Sequence, residues 1–301
     1  MKVLVFGGAG FLGSYVVDEL VSRGHAVTVF DRQPSRWAPP SVPTITGDIL
    51  DRAAVTQAVD GFEIVYNFAG LADLNTSITQ PVETVTLNVV GNLNVLEACR
   101  HARVQRFLYA SSVYVFSSKG AFYGASKKAS ELMIEEYRRQ FEQEYTILRY
   151  GSVYGERADH SNRIYRLLSE ALTSGTITFL GDGLEEREYI HGRDAARLSV
   201  DVLAPEYRSA SVMLTGGERY RYRDLLELIK EILDGRVQIV FLNQEYEGHY
   251  HLTPYTFAPT IGKKLVSNPS VDFGQGLVEC LQTLSRELSL AGDLPTVGDH
   301  D

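Results

Sequence analysis

Cysteine is scarce in this chain: there are two, Cys99 and Cys280. Neither belongs to a CxxC pair or to a Cys/His cluster at metal-ligand spacing, so no metal is expected. Each sits in an apolar helical pattern and reads as a free buried thiol. No apolar run is long enough to cross a bilayer. The chain opens directly on a strand pattern, Met1 to Phe6, without a charged leader and cleavage site, so a cytoplasmic location is the expectation. Positive charge is in deficit, with 29 Lys and Arg against 38 Asp and Glu and a net charge of −9. That argues against a broad surface for nucleic acid or for a membrane. It leaves room for a local basic pocket that holds a phosphate. Internal repeats and low-complexity segments are also missing.

What the chain does have is enough to build a core. Of 301 residues, 44% are hydrophobic and 22% charged, which suits one intimate unit with a larger and a smaller domain. The first half alternates strand and helix. Lys2–Phe6 is a strand, Phe11–Arg23 a helix closed by Gly24, and His25–Phe30 the next strand. A short strand is expected at Val42–Thr46, a helix at Ala53–Val59 and a buried strand at Phe62–Asn67. Pro81 opens a long helix, Val82–Ala102. Phe107–Ser111 is a strand, Tyr123–Phe141 a helix and Tyr145–Tyr150 a strand. This alternation predicts an α/β fold, a doubly wound (Rossmann) parallel sheet with a smaller C-terminal α/β domain. Residues 1–155, with 189–204 returning to them, form the expected dinucleotide-binding domain. Residues 156–188 and 205–290 form the expected substrate domain, and 291–301 a frayed tail. In the second half, helices are expected at Arg163–Thr173, Arg193–Leu203, Arg223–Leu233 and Gln275–Leu288. Strands are expected at Ser211–Leu214 and Val237–Leu242.

The first turn reads Gly7-Gly8-Ala9-Gly10-Phe11-Leu12-Gly13, between a strand and a helix. Gly7 and Gly10 permit a tight turn that a pyrophosphate can approach, and Gly13 lets the helix pack on the strand. The N–H groups at the helix start then face the phosphates. Without a ligand, the same glycines would simply make a tight turn. Asp31 ends the second strand, where a carboxylate accepts hydrogen bonds from both hydroxyls of an adenosine ribose and repels a 2′-phosphate. That favours NAD over NADP, with Arg32 next to it softening the preference.

Tyr123 and Lys127 stand four residues apart on one helix, hence on one face. An ammonium there can lower the phenol's pKa and hold a nicotinamide ribose, while the phenol exchanges a proton with a substrate hydroxyl. Ser111 and Ser112 end the preceding strand, within reach of the same oxygen.

Taken together, these residues resemble the extended short-chain dehydrogenases/reductases, which include NAD-dependent sugar-nucleotide epimerases and dehydratases. The resemblance runs from Met1 to about Ala196. Beyond the motifs above it rests on Asp48-Ile49, Asn67-Phe68-Ala69-Gly70, Asn88 and Gly91. It continues through Arg149-Tyr150-Gly151-Ser152-Val153-Tyr154-Gly155, Gly181-Asp182-Gly183, Arg187-Glu188-Tyr189-Ile190-His191 and Asp194. It implies that Asp48 and Ile49 flank the adenine and that Phe68, Ala69 and Gly70 line the cofactor. Asn88 would order the cofactor side of the active site, and Ser111, Tyr150, Tyr123 and Lys127 would complete the NAD site. Ser112, followed by Val113-Tyr114, matches the family's catalytic Ser/Thr, beside Tyr123 and Lys127. Arg187 matches an arginine that binds the diphosphate of a sugar nucleotide, a role its guanidinium fork suits. Its alternative is a surface salt bridge with Glu185 or Glu188.

Three departures stand out. Ser152 replaces an asparagine that in the family contacts the nucleotide sugar, so that contact is lost or made through water. Only ten residues separate Ser112 from Tyr123, which implies a tighter turn through Lys119-Gly120 and a more open rim. No Asp-Glu pair follows Ser112, which disfavours dehydration. The reading that results is an NAD-dependent nucleotide-sugar epimerase, with Ser112, Ser152 and Arg187 on the substrate. The alternatives are a net reductase or dehydrogenase of a keto-sugar or other carbonyl compound, and a non-catalytic NAD-binding protein. A homodimer is expected, because Val85, Val89, Val90, Leu93, Val95 and Leu96 cannot all face one strand layer.

Overall fold

The structure is a computed structural model that describes residues 1–242, 263–265, 267 and 271–291. The expectation for the tail from 292 onward lies outside the described residues. The first half runs β1 (Lys2–Phe6), α1 (Phe11–Ser22), β2 (Ala26–Asp31), β3 (Thr44–Thr46), α2 (Arg52–Val59), β4 (Ile64–Asn67), α3 (Leu74–Thr79) and α4 (Pro81–Val85). It continues with α5 (Asn92–His101), β5 (Arg106–Ser112), α6 (Ala121–Phe141) and β6 (Tyr145–Tyr150). The second half holds β7 (Ser152–Tyr154), α7 (Arg163–Ser174), β8 (Thr176–Leu180), β9 (Glu186–His191), α8 (Gly192–Asp201) and β10 (Ala210–Leu214). It ends with β11 (Arg219–Arg221), α9 (Tyr222–Ile232), β12 (Gln238–Leu242), β13 (Lys263–Leu265) and α10 (Phe273–Ala291).

The main sheet has eight parallel strands in the order β13-β10-β6-β5-β4-β1-β2-β3. The six strands from β3 to β6 follow the doubly wound Rossmann order, in which the chain reverses between β1 and β4 and leaves a crevice at the strands' C-terminal ends. Alternation along β1 divides the interior. Val3 and Val5 enter a core with α1 and α8, through Val16, Leu20, Ala195 and Leu198. Leu4 and Phe6 enter the opposite core with α2, α5 and α6, through Val55, Leu96 and Ile134. β5 and β6 are buried along their whole length, as strands covered on both faces must be.

The expected helix Val82–Ala102 is not uniform. Between α4 and α5 the backbone widens into a π turn, Thr86–Gly91. That turn carries the buried Asn88, and it sets Gly91 so close to Ile49 that a Cβ would lie 2.9 Å from Ile49 Cγ2. The short link to α6 uses a 3₁₀ turn, Val113–Phe116, and its left-handed residue is Ala121, at φ 45°, rather than Gly120.

Beyond β6, a three-stranded sheet, β11-β9-β7, and a β12-β8 pair join α7, α9 and α10 around a separate core. Its centre is Leu167, Phe179, Leu225, Ile229 and Leu277. β8 and β11 escape the sequence reading, each being completed only by a partner distant in the chain. Among the described residues, no helix is long and apolar enough to cross a membrane.

Candidate active site

The crevice begins at the turn between β1 and α1. Gly7 N–H bonds Phe30 O at 2.9 Å, and Gly10 N–H closes back on Gly7 O at 3.1 Å. Gly7 sits at φ +73°, where a Cβ would meet Ala69 N at 2.6 Å. α1 starts at Phe11 with Gly10 as its N-cap and no side-chain cap, and the first N–H groups of such a helix start, at Phe11 and Leu12, suit an anion. Asp31 rims the turn. Its Oδ2 accepts Ala9 N–H at 3.0 Å, and its Oδ1 accepts Gln33 N–H at 3.3 Å. A cradle that any Cβ would fill, an uncapped helix start and a carboxylate fixed beside them together fit a dinucleotide. Arg32 is exposed next to Asp31. Asp31→Ala is expected to weaken NAD binding by about 10- to 100-fold, the worth of a hydrogen bond to a charged group, and to weaken NADP binding less. Calorimetric titration with each dinucleotide decides it; an equal loss for both removes Asp31 from cofactor selection.

The walls follow from β3 and β4. Asp48 Oδ1 accepts Leu50 N–H at 2.8 Å and sets the backbone around the buried Ile49. Past β4, Phe68 stacks on Tyr66 at 6.0 Å, and Asn67 Oδ1 accepts Ala69 N–H at 3.1 Å. Asn88 ties the next stretch down. It accepts Leu71 N–H at 2.8 Å and donates to Leu71 O and Ser126 Oγ, both at 2.9 Å. One buried amide thereby links the loop at Gly70 to the residue that precedes Lys127.

At the end of β5, Ser112 Oγ accepts Tyr114 N–H at 3.3 Å and faces the Tyr123 hydroxyl. Burial pushes the Tyr123 phenol up, and the neighbouring Ser112 hydroxyl opposes that rise. Lys127 is buried one turn along, its Nζ donating to Ala110 O at 2.8 Å and lying 5.8 Å from the Tyr123 ring centroid. Loss of water brings its ammonium down to about 8. Hydroxyl, phenol and ammonium are thus brought together as the spacing predicts.

The other expected site residues have these surroundings. Ser111 Oγ donates to Glu131 Oε1 at 2.5 Å, away from Ser112. The Tyr150 hydroxyl is spent on Ser199 Oγ at 2.6 Å, and its ring lies 6.2 Å from Phe68. Ser152 is half-buried on β7, paired with Tyr189 of β9. Arg187 is no surface residue: it is 2% exposed on β9, donates to Glu186 O at 2.8 Å and lies 5.4 Å from the Tyr222 ring. Glu188 instead faces Arg219 at 3.2 Å.

Sequence reasoning passed over Glu131 and gave Arg149 no role of its own. They form a buried forked ion pair, Nε to Oε1 at 2.9 Å and Nη2 to Oε2 at 2.7 Å. The available signal was Glu131's position one helical turn beyond Lys127.

Among the described residues, Glu156, His191 and Cys280 have ligand atoms within 4.8 Å of one another. His191 Nδ1 accepts Arg193 N–H at 3.2 Å, and its Nε2 lies 3.2 Å from Glu156. Burial also raises the Cys280 thiol to about 12.

A sequence model of the NAD dependent epimerase/dehydratase family matches residues 3–211. The chain is 26% identical over 298 residues to a putative UDP-glucose 4-epimerase of Methanocaldococcus jannaschii, covering 91% of this chain and 95% of that one. It is 25% identical over 308 residues to a dTDP-glucose 4,6-dehydratase of Actinoplanes sp., covering 93% and 96%. The structure superposes on the UDP-glucose 4-epimerase of Thermus thermophilus in complex with NAD at a TM-score of 0.80 and 25% identity. That match covers 95% of this chain and 99% of the other.

Proposed function

The chain belongs to the NAD-dependent epimerase/dehydratase family, and from that premise we propose that it is a nucleotide-sugar epimerase. Its cofactor is NAD, for which the Gly7–Gly13 turn and Asp31 are the binding residues. When bound, NAD supplies a hydride acceptor that later returns the hydride. Tyr123 takes the proton of a ring hydroxyl as its carbon becomes a ketone, and gives a proton back when the ketone is reduced from the other face. Ser112 orients that oxygen, and Lys127 holds positive charge beneath the phenol. Ser152 and Arg187 serve the nucleotide sugar, Arg187 through its diphosphate. Residues 1–155 with 189–204 carry the cofactor, and 156–188 with 205–290 the substrate.

One observation favours epimerisation over elimination. Ser112 runs straight into Val113–Phe116 with no acid, and Glu131, one turn beyond Lys127, is held by Arg149 and Ser111. Elimination of water needs a free acid to protonate the leaving hydroxyl. A panel of nucleotide sugars, followed by NMR and mass spectrometry, tests the reading. The expected product has unchanged mass and an inverted carbon, with no net NADH formed or used. Loss of water makes the protein a dehydratase, and stoichiometric NADH consumption makes it a reductase.

Arg187→Ala is expected to raise KM for the nucleotide sugar at least tenfold and to lower kcat as well, because a loosely held sugar samples unproductive poses. Arg187→Lys should recover part of the loss, since a point charge lacks the fork. Steady-state kinetics with an unaltered KM would transfer the diphosphate to another residue.

We also expect a homodimer through α4–α6. Val95 and Leu96 turn out to be fully buried in the sheet's own core, but Val82, Val85 and Val90 are exposed. Phe122, Leu132, Met133 and Phe141 of α6 are exposed too. Apolar side chains on both helices suit a four-helix contact about a two-fold axis. Light scattering should give twice 33.5 kDa at micromolar concentration, and Leu132→Glu should shift the mass toward the monomer. A wild-type monomer would end this proposal.

A further inference from the structure

The end of β5 and one face of α6 are fastened together step by step. Lys127 Nζ donates to Ala110 O, Glu131 accepts from Ser111 Oγ, and the Tyr123 hydroxyl faces Ser112. Three successive strand residues are thus held by three helix residues spaced one turn apart. Two of these fastenings involve the acid–base residues themselves. The third, at Glu131, touches neither the proposed sugar site nor the turn of glycines.

Glu131 does more than meet Ser111. Its carboxylate is gripped by the Arg149 guanidinium in a fork, and both side chains are 7% exposed. The same guanidinium lies 4.8 Å from the Phe116 ring centroid. Ser111 immediately precedes Ser112, and Phe116 closes the 3₁₀ turn that follows it. The ion pair therefore holds the chain on both sides of Ser112. Burying two charges is costly, and an apolar pair of similar volume often stabilises a core as well or better. Stability alone gives no reason for a charged pair here, whereas a directional hold on Ser111 does.

We infer that Glu131, clamped by Arg149, is a positioning residue that fixes Ser112 against the Tyr123 hydroxyl through its bond to Ser111. The inference rests on the reading of Ser112, Tyr123 and Lys127 as the acid–base site. A hydroxyl that donates to a phenolate stabilises it, and the stabilisation falls steeply as distance and angle degrade. A looser Ser111 lets Ser112 drift, and the Tyr123 phenol then becomes harder to ionise. Other ionisable groups face this region: Tyr109 on β5, whose ring lies 4.8 Å from Lys127 Nζ, Lys127 itself on α6, and Tyr145 and Arg149 on β6. A useful test therefore leaves the local charge unchanged.

Two variants meet that condition. Ser111→Ala removes only the tie and keeps the ion pair. Glu131→Met combined with Arg149→Met removes tie and pair together at similar volume. Each is prepared with tyrosine labelled at Cζ, and the Tyr123 resonance is assigned by its absence in Tyr123→Phe. The expected result for both is an upward displacement of the Tyr123 titration by about one pH unit, the order set by one charge-assisted hydrogen bond. With a nucleotide sugar that the wild-type protein turns over, kcat should fall about tenfold and KM should hold. Folded variants whose Tyr123 titrates as in wild type, including any that lose only thermal stability, overturn the inference. Should the double variant fail to fold, Ser111→Ala decides alone. If the wild-type protein turns over no nucleotide sugar, the epimerase reading falls, while the titration still decides on Glu131.

Discussion

Tyr123→Phe is expected to lower kcat by about 10²- to 10⁴-fold, the usual contribution of a general acid–base group, with the fold and the bound cofactor retained. The expectation comes from what the substitution leaves in place. The ring packs edge-on to Tyr114 at 6.3 Å, and phenylalanine preserves that contact. Lys127 keeps its anchor on Ala110 O, which does not involve the phenol. Asn88 still ties the Gly70 loop to Ser126. What disappears is the phenol oxygen that faces Ser112, and with it the group that exchanges the proton. Ser112 cannot replace it, because an ordinary hydroxyl is far too weak an acid to be drawn into that role. Lys127 is held on the backbone one turn away. Single-turnover and steady-state rates should fall together, with KM within a few-fold of wild type and NAD still recovered from the purified protein. A variant that keeps more than roughly a tenth of the wild-type rate would take the acid–base role away from Tyr123.

Local patterns were the legible part of this site. The Gly7–Gly13 turn and Asp31 lie within one strand-helix-strand unit, so spacing alone brings them together. The Tyr123–Lys127 pair follows from helical period. The pairing of Glu131 with Ser111 and Arg149 was not legible in the same way. Its three members sit on α6, β5 and β6, and only the closed sheet makes them neighbours. Tyr150 shows the same limit. Its place at the end of β6 suggests a cofactor contact, and the sequence could not show that its hydroxyl bonds Ser199 on α8, far along the chain. Arg187 looked like a residue that surface carboxylates might claim, and the sequence had no means of showing that β9 is covered by β11 and α9.

The fold divides in a similar manner. Strands buried on both faces announce themselves as continuous apolar runs, and β4, β5 and β6 were found within one or two residues of their ends. The π turn inside the expected long helix carries no such mark. Its cause is the burial of Asn88 against Leu71 and of Gly91 against Ile49, two contacts that a helical period cannot express. The sequence showed only that the apolar residues of that helix, Val95 and Leu96 among them, exceed one face. The widened turn upstream rotates them onto the sheet, and the exposed apolar set becomes Val82, Val85 and Val90.

Gly13→Ala is expected to reduce NAD affinity by 100-fold or more, on the order expected when a phosphate-binding turn is forced out of shape, and to cost about 1–3 kcal/mol of stability. Helix propensity argues for the opposite result, since alanine in a helix interior is favoured over glycine by about 1 kcal/mol. Packing decides against propensity here. A Cβ at Gly13 would lie 2.2 Å from Gly7 O, 2.9 Å from Gly7 C and 3.0 Å from Gly8 Cα. These are backbone atoms, so no rotamer change relieves the contact, and the turn must retreat by roughly an ångström. It has nowhere to go. Gly7 is at φ +73° with Ala69 N and Phe68 C close behind it, and its carbonyl also receives the Gly10 N–H that shapes the turn. Retreat therefore displaces the N–H groups that face the phosphates. Gly175→Ala supplies the contrast. That glycine caps α7 at φ +65° with nothing within 4 Å of a Cβ, so it should cost about 1 kcal/mol in backbone strain and leave NAD affinity unchanged. Calorimetric titration of NAD beside thermal melts separates the two effects. If Gly13→Ala binds NAD as wild type does, the β1–α1 turn is not where the pyrophosphate sits.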